Sequence, residues 1–230
     1  IHYKYSDFLA YNNKVAQKES IGNSPMNPQM WEVEDIEQIK TKLGLPFYLK
    51  RKIGSGGYSV INLEPMSRFG ANIIPQDDIS NWYIEESRKG VPSSVQCFTS
   101  SNGDTYIYAF CEQQMEGSSF VGGRIIDFKD SMKKSYLAQG LLTIVERLLP
   151  FIGGYSLFWG IDYLDDGNQI SFIEGNIRPT AMSIPALLTN EKSNVECAIF
   201  REDSNKILKE CDILIAKNFH SGTSDILSIQ

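Results

Sequence analysis

Histidine is nearly absent: the 230-residue chain has only His2 and His220, both near its ends. Ser-His-Asp and Cys-His arrangements need an imidazole beside a nucleophile, so hydrolase chemistry of that kind has little to draw on. The four cysteines, Cys97, Cys111, Cys197 and Cys211, stand far apart with no C-x-x-C pair. This argues against a zinc or dithiol motif and for reduced, mostly buried thiols. No apolar run approaches the roughly 18–20 residues needed to span a bilayer, and the N-terminus lacks a basic-then-apolar signal pattern. Lys and Arg number 22 against 28 Asp and Glu, giving a formal charge of -6 with the cations dispersed. Nucleic acid and membrane are therefore not expected partners, and a cytoplasmic setting is expected. Neither G-x-x-x-x-G-K-[ST] nor a Gly-rich turn leading from strand to helix occurs, which excludes a P-loop and a dinucleotide fingerprint. The length suffices for a core without covalent staples. The first residue is Ile1 rather than Met, so sequence is expected to precede it.

Residues 31–43 place Val33, Ile36, Ile39 and Leu43 on one helical face, with acidic residues early, lysines late and Gly44 as a stop. Residues 46–53 and 58–63 read as strands joined by Gly54-Ser55-Gly56-Gly57, making the Gly loop a hairpin tip. A looser stretch at 64–80, with Pro65, Gly70 and Pro75, sets an expected boundary between subdomains 1–80 and 81–230. Strands are expected at 81–86, 94–98 and 105–111. The longest helix is expected at 129–149, its apolar face carrying Leu137, Leu141, Val145 and Leu148, and Pro150 ending it. Residues 157–164 and 169–176 form a second strong hairpin, followed by a short helix at 183–188 and a weaker helix and strand.

Two places in this order invite chemistry. Glycines at a hairpin tip let backbone N–H groups approach phosphate oxygens closely, and Lys50 and Lys52, two apart on the strand entering the loop, share a face. An ordinary turn flanked by solvated lysines has the same pattern, and the residues by themselves leave both readings open. Glu174 and Asn176 are also two apart, presenting a carboxylate and an amide oxygen on one face, with Asp162 available on the partner strand. Hard oxygen ligands of this kind suit magnesium held together with phosphates and water. Acidic residues set among Phe158, Trp159, Ile161, Phe172 and Ile173 favour a metal over a merely polar edge. Arg178 follows directly and suits a transferring phosphoryl group or a carboxylate.

Taken in order, these motifs resemble the ATP-grasp family over residues 13–185. Asn13-Lys14 resembles the start of its first subdomain. Residues 46–57 resemble its lysine strand and phosphate-covering loop, and Ile84-Glu85-Glu86-Ser87-Arg88-Lys89-Gly90 its adenine-binding hinge. Gly160-Ile161-Asp162, with Glu174, Asn176 and Arg178 as E-x-N-x-R, resembles its metal-binding hairpin. Residues 90–95 and 109–115 look like the branch of carboxylate-amine ligases that includes tyramine-glutamate ligase. Two departures stand out: Gly175 occupies a position more often apolar, and Pro92 one where many members carry a glutamate near the ribose.

The resemblance implies an α+β fold of two subdomains, each with an antiparallel sheet and helices, clasping ATP. It implies that Lys14, Lys50, Lys52, Gly54, Ser55, Gly56 and Gly57 hold phosphates, and that Glu85, Glu86 and Ser87 face the purine. Asp162, Glu174 and Asn176 would hold Mg, with Arg178 and Lys50 serving catalysis. The implied reaction transfers the γ-phosphate to a small-molecule carboxylate; an amine attacks the acyl phosphate, and ADP and phosphate leave. Alternatives on the same fold are a small-molecule kinase and a non-catalytic nucleotide-binding module. Family members carry a further α/β domain ahead of the first subdomain, so a missing N-terminal domain or partner chain is expected to complete the acceptor site.

The hairpin makes one further demand. Directly opposed residues of an antiparallel pair share a face. A two-residue Asp166-Gly167 turn would send Asp162 and Glu174 to opposite faces. If both serve one metal site, the loop holds three or five residues, or a bulge restores the parity.

Overall fold

The computed structural model describes residues 10–54, 59–66, 79–126, 128–152, 156–188, 195–200, 212–217 and 224–229; for residues 36, 128–130, 188 and the last three segments it describes the backbone alone. Among these, strands β1 (Met30–Glu32), β2 (Phe47–Arg51), β3 (Val60–Asn62) and β4 (Trp82–Glu86) form one sheet in the order β1-β4-β2-β3. Strands β5 (Val91–Thr99), β6 (Thr105–Glu116), β7 (Ser119–Ile126), β8 (Leu157–Asp165), β9 (Ile170–Asn176), β10 (Val195–Phe200), β11 (Asp212–Lys217) and β12 (Ser224–Ile229) form the other, in the order β11-β12-β10-β7-β6-β5-β8-β9. Every pairing is antiparallel. The α+β architecture with two antiparallel sheets is the expected one.

The larger core lies under the second sheet. Trp159, Ile161 and Tyr163 alternate inward from β8 and meet Leu137, Leu141, Ile144 and Leu148 of the long helix, all almost fully buried. The smaller core joins Leu49 and Ile84 of the first sheet to Val33, Ile39 and Leu63.

Several elements differ from expectation. Strand β4 pairs with β1 and β2, so the first sheet ends at Glu86 and the division expected at residue 80 falls one strand early. Strands β3 and β4, on either side of that stretch, belong to one sheet, and the chain changes sheets at 87–90. The first helix, α1 (Lys14–Ile21), packs against the long helix and β9 rather than with the first sheet. Residues 31–43 form the end of β1 and a short helix, α2 (Ile36–Lys40), capped by Asp35. Pairing of Trp31 with Ile84 overrides the helical period there.

Helix α3 (Phe128–Lys133) is separate from α4 (Ser135–Ile152), which carries Pro150 in its last turn and ends two residues later. Strand β7 was not expected, its glycines weakening the strand pattern. Helix α5 (Ser183–Leu188) lies as expected; beyond it the described residues form β10, β11 and β12, and the stretches between these strands, where the weaker C-terminal helix would fall, lie outside the described residues. Cys97 and Cys111 are buried thiols. Among the described residues no helix is long and apolar enough to cross a membrane.

Candidate functional site

A cleft of about 800 Å³ opens between the two sheets. From the first sheet and its connection it is lined by Lys50, Glu85 and Glu86, and from α1 by Lys14. From the second it is lined by Asp162, Glu174, Asn176 and Arg178. Lys52, Gly54 and Ser87 do not line it. Ser55, Gly56 and Gly57 lie outside the described residues.

Strand alternation explains the metal-type cluster. On β8 the odd residues face the core and Asp162 and Leu164 face the cleft. On β9 Ile170 and Phe172 face the core while Ser171 and Ile173 face the cleft; beyond that point Glu174 and Asn176 face the cleft, and Ile177 the core. The change of parity is a bulge. Tyr163 opposes Phe172 and Asp162 opposes Glu174, leaving Ile173 as an extra residue on β9. The loop itself has four residues, 166–169, closed by a hydrogen bond from the Asp166 N–H to the Gln169 carbonyl (3.2 Å). The expected three- or five-residue loop is therefore wrong. Both carboxylates and Asn176 face the cleft as expected, and the bulge sets Asp162 directly opposite Glu174.

Asp162 accepts hydrogen bonds from Gln113 Nε2 (2.9 Å) and Asn176 Nδ2 (2.9 Å). Arg178 donates to Asn176 Oδ1 (3.2 Å), and Lys14 pairs with Glu174 (2.9 Å). Burial, then the Glu174 charge, push the Asp162 carboxyl up to about 7, against the hydrogen bonds of Asn176 and Gln113 and the charge of Arg178. Two half-buried carboxylates and an amide oxygen on one face fit a hard divalent cation. Among the described residues no three His, Cys, Asp or Glu side chains cluster closely enough to hold a metal. The set therefore fits an ion that draws its remaining oxygens from a ligand and water, as magnesium does with phosphates.

Across the cleft lies a buried triad. Glu85 pairs with Lys50 (2.5 Å) and with Lys18 (2.8 Å), and Lys18 is fully buried. Burial works against the Glu85 charge, but the Lys18 and Lys50 ammoniums outweigh it and hold the carboxyl below its usual range. Burial pulls the Lys18 ammonium down, Glu85 opposing and Lys50 adding to the shift. Two lysines share the one carboxylate, and Lys50 is the member of the pair that lines the cleft. Lys52 does not join it, and pairs instead with Glu32 of β1. The Gly54 backbone packs against Ser59, where a Cβ would lie 2.2 Å from Oγ.

In the connection between sheets, Glu86 pairs with Arg88 (2.9 Å), and the Ser87 N–H is bound to the Pro46 carbonyl (2.8 Å). Lys18 and Gln113 were missed as site residues. Lys18 follows Lys14 by four residues, a spacing that puts both on one helix face and would have found it.

No protein-family model matches the chain, and no curated protein matches it. Solved structures do. Carboxyaminoimidazole ribonucleotide synthase from Aspergillus clavatus, complexed with ATP, is similar with a TM-score of 0.69 at 14% identity, over 95% of this chain and 68% of that one. L-amino acid ligase from Bacillus licheniformis is similar with a TM-score of 0.68 at 10% identity, over 100% and 69%. An ATP-grasp superfamily protein from Archaeoglobus fulgidus is similar with a TM-score of 0.58 at 15% identity, over 97% and 65%. The chain thus spans about two-thirds of each, and at these identities the likeness is one of fold: this chain has the fold of the ATP-grasp superfamily.

Proposed function

We propose that the cleft binds ATP with magnesium and that the chain is an ATP-dependent carboxylate-amine ligase acting through an acyl phosphate, with ADP and phosphate as products. The observation that carries this reading is the direct opposition of Asp162 and Glu174 on the cleft face, with Lys14, Lys50 and Arg178 lining the same cleft. The similar solved structures named above include a synthase complexed with ATP and an L-amino acid ligase.

Magnesium, when bound, supplies Lewis-acid polarisation of the phosphoryl oxygens. The chain's own residues do the rest. Asp162, Glu174 and Asn176 offer oxygens from rigid strands, which hold their directions better than loops do. Lys50, paired with Glu85, binds phosphate from the opposite wall, and Lys14 neutralises charge beside Glu174. Arg178 reaches the cleft beside Asn176 and stabilises the negative charge that grows on the transferring group. Glu86 and the backbone at 88–90 frame the purine edge. Holding carboxylate, amine and phosphate together lowers the barrier through proximity.

The test is a screen of carboxylate and amine pairs for magnesium-dependent ADP release, with mass spectrometry of the product. An amide formed with stoichiometric ADP and phosphate is expected. AMP with pyrophosphate, or no ADP above background with any pair, overturns the ligase reading.

A further inference from the structure

β9 is the last strand of its sheet, yet its outer edge is not left to solvent. The Phe172 N–H donates to the Met26 carbonyl (2.7 Å), and the Phe172 carbonyl accepts from Lys18 Nζ (3.1 Å). The Gly175 N–H donates to Gln17 Oε1 (2.8 Å), and the Gly175 carbonyl accepts from Gln17 Nε2 (2.7 Å). The Ile177 N–H donates to Asn12 Oδ1 (3.3 Å). The step from 172 to 175 reflects the bulge at Ile173, which shifts the outward-facing groups by one residue.

Gln17 is the unusual member. It is fully buried, and its second amide hydrogen goes to the Tyr11 carbonyl (2.7 Å). A carboxamide presents one acceptor and one donor side by side, as a residue of a neighbouring strand does. At Gly175 the side chain thus supplies both hydrogen bonds that a further strand would make. A Cβ at 175 would lie 2.9 Å from Leu148 Cδ1 and in ordinary contact, 3.5 Å, with the Gln17 amide atoms, so the glycine makes room for Leu148 beside the Gln17 bonds. Gly175 separates Glu174 from Asn176. It stands opposite Ile161 of β8 in register while both its backbone groups go to Gln17 on the outer side, so Gln17 holds the backbone between the two oxygen donors. Lys14, one turn earlier on α1, pairs with Glu174 from the same helix.

We infer that Gln17 is a positioning residue for the divalent-ion site: it acts as a one-residue substitute strand at Gly175 that aims Glu174 and Asn176 together into the cleft. The inference rests on the magnesium-nucleotide reading.

Gln17→Met keeps the volume and removes both bonds; Gln17→Glu keeps the acceptor for the Gly175 N–H and loses the donor. Uptake of Mn²⁺ in the presence of ATP, followed by electron paramagnetic resonance, should weaken on the order of tenfold in Gln17→Met, with Gln17→Glu between it and the wild type. ATP binding in EDTA should match the wild type in both. Wild-type Mn²⁺ affinity in Gln17→Met overturns the inference, as does equal weakening of metal-dependent and metal-free ATP binding, the mark of a merely structural role. If neither variant folds, amide exchange in the wild type decides: the Gly175 N–H should exchange as slowly as the ladder amides of β9, and exchange at the rate of an unpaired amide overturns the inference. A wild type that takes up no Mn²⁺ with ATP defeats the nucleotide reading and this inference together, so the wild-type arm separates the two failures.

Discussion

Asp162 and Glu174 are direct cross-strand partners, and they owe this to the bulge at Ile173 rather than to the turn that joins their strands. The four-residue loop sets the odd parity of Asp165 opposite Ile170. One extra residue on β9 converts it to the even parity that brings both carboxylates to the cleft. The cost of that arrangement is mutual repulsion in a poorly solvated place.

That cost is measurable as a pH dependence. Burial and the Glu174 charge push Asp162 up to about 7, above its unfolded value of about 4. The folded chain therefore binds more protons than the unfolded chain between those values, and stability falls as pH rises through the window. The penalty is absent near pH 4 and complete above pH 7. Asp162→Asn removes it, so the melting temperature at pH 8 should rise by a few degrees, on the order of 1–2 kcal/mol, with little change near pH 4. Divalent-ion-dependent ATP binding should be lost in the same variant. A lower melting temperature at pH 8 would show that the Gln113 and Asn176 hydrogen bonds outweigh the repulsion.

The triad Lys18–Glu85–Lys50 predicts unequal effects for its members. Lys50→Ala leaves Glu85 paired with Lys18, so the buried charge stays compensated. Mg-ATP affinity should fall by about 2 kcal/mol, the scale of a charge-assisted hydrogen bond, with a small shift of the unfolding midpoint. Glu85→Gln strands two buried ammoniums and should destabilise the fold by about 3–5 kcal/mol. Denaturant unfolding and calorimetry compare the two, and a Lys50→Ala variant as unstable as Glu85→Gln would mean that the ammonium is mainly structural.

Lys52 is expected to matter little. Its partner Glu32 is exposed, and neither reaches the cleft. Lys52→Ala should change Mg-ATP affinity by less than about 1 kcal/mol. A loss equal to that of Lys50→Ala, measured in the same titration, would return Lys52 to the phosphate site.

Much of the cleft was legible in the sequence because period-two spacing is a strong geometric statement. Glu174 and Asn176 share a face as read, and the apolar residues around them set that face against a core. The same rule misled at Lys52, since β2 ends at Arg51 and the chain bends away before the second lysine. What could not be read depends on contacts far apart in the chain. Trp31 belongs to a strand only because Ile84 pairs with it, and the bulge at Ile173 leaves no mark in the residue types around it. Gln17, 158 residues from Gly175, looks like an ordinary polar residue of a helix until β9 is placed beside it. The boundary after Glu86 was missed for the same reason: β4 declares its sheet only through β1 and β2.

Arg178 is carried by a turn whose anchor is Gln96, and this gives the last prediction. Fully buried Gln96 accepts hydrogen bonds at Oε1 from Thr180 Oγ1 (2.6 Å) and Ser183 Oγ (2.9 Å), while the Thr180 N–H donates to Ser183 Oγ (2.8 Å). Thr180 fits only because residue 160 is glycine: a Cβ there would lie 2.6 Å from Thr180 Cγ2 and 3.2 Å from the Val95 carbonyl. Gly160→Ala should push Thr180 off Gln96 and swing the turn that carries Arg178. Overpacking of this kind costs about 1–3 kcal/mol in stability. The rate of ADP release should fall more than ATP affinity does, because Lys50 and Glu85 are on the opposite wall and stay in place. Thr180→Ser removes the clashing methyl and keeps the hydroxyl, so Gly160→Ala combined with Thr180→Ser should recover most of the lost rate. A double variant no faster than Gly160→Ala alone would locate the damage at the Val95 carbonyl and release Thr180 from its role in holding Arg178.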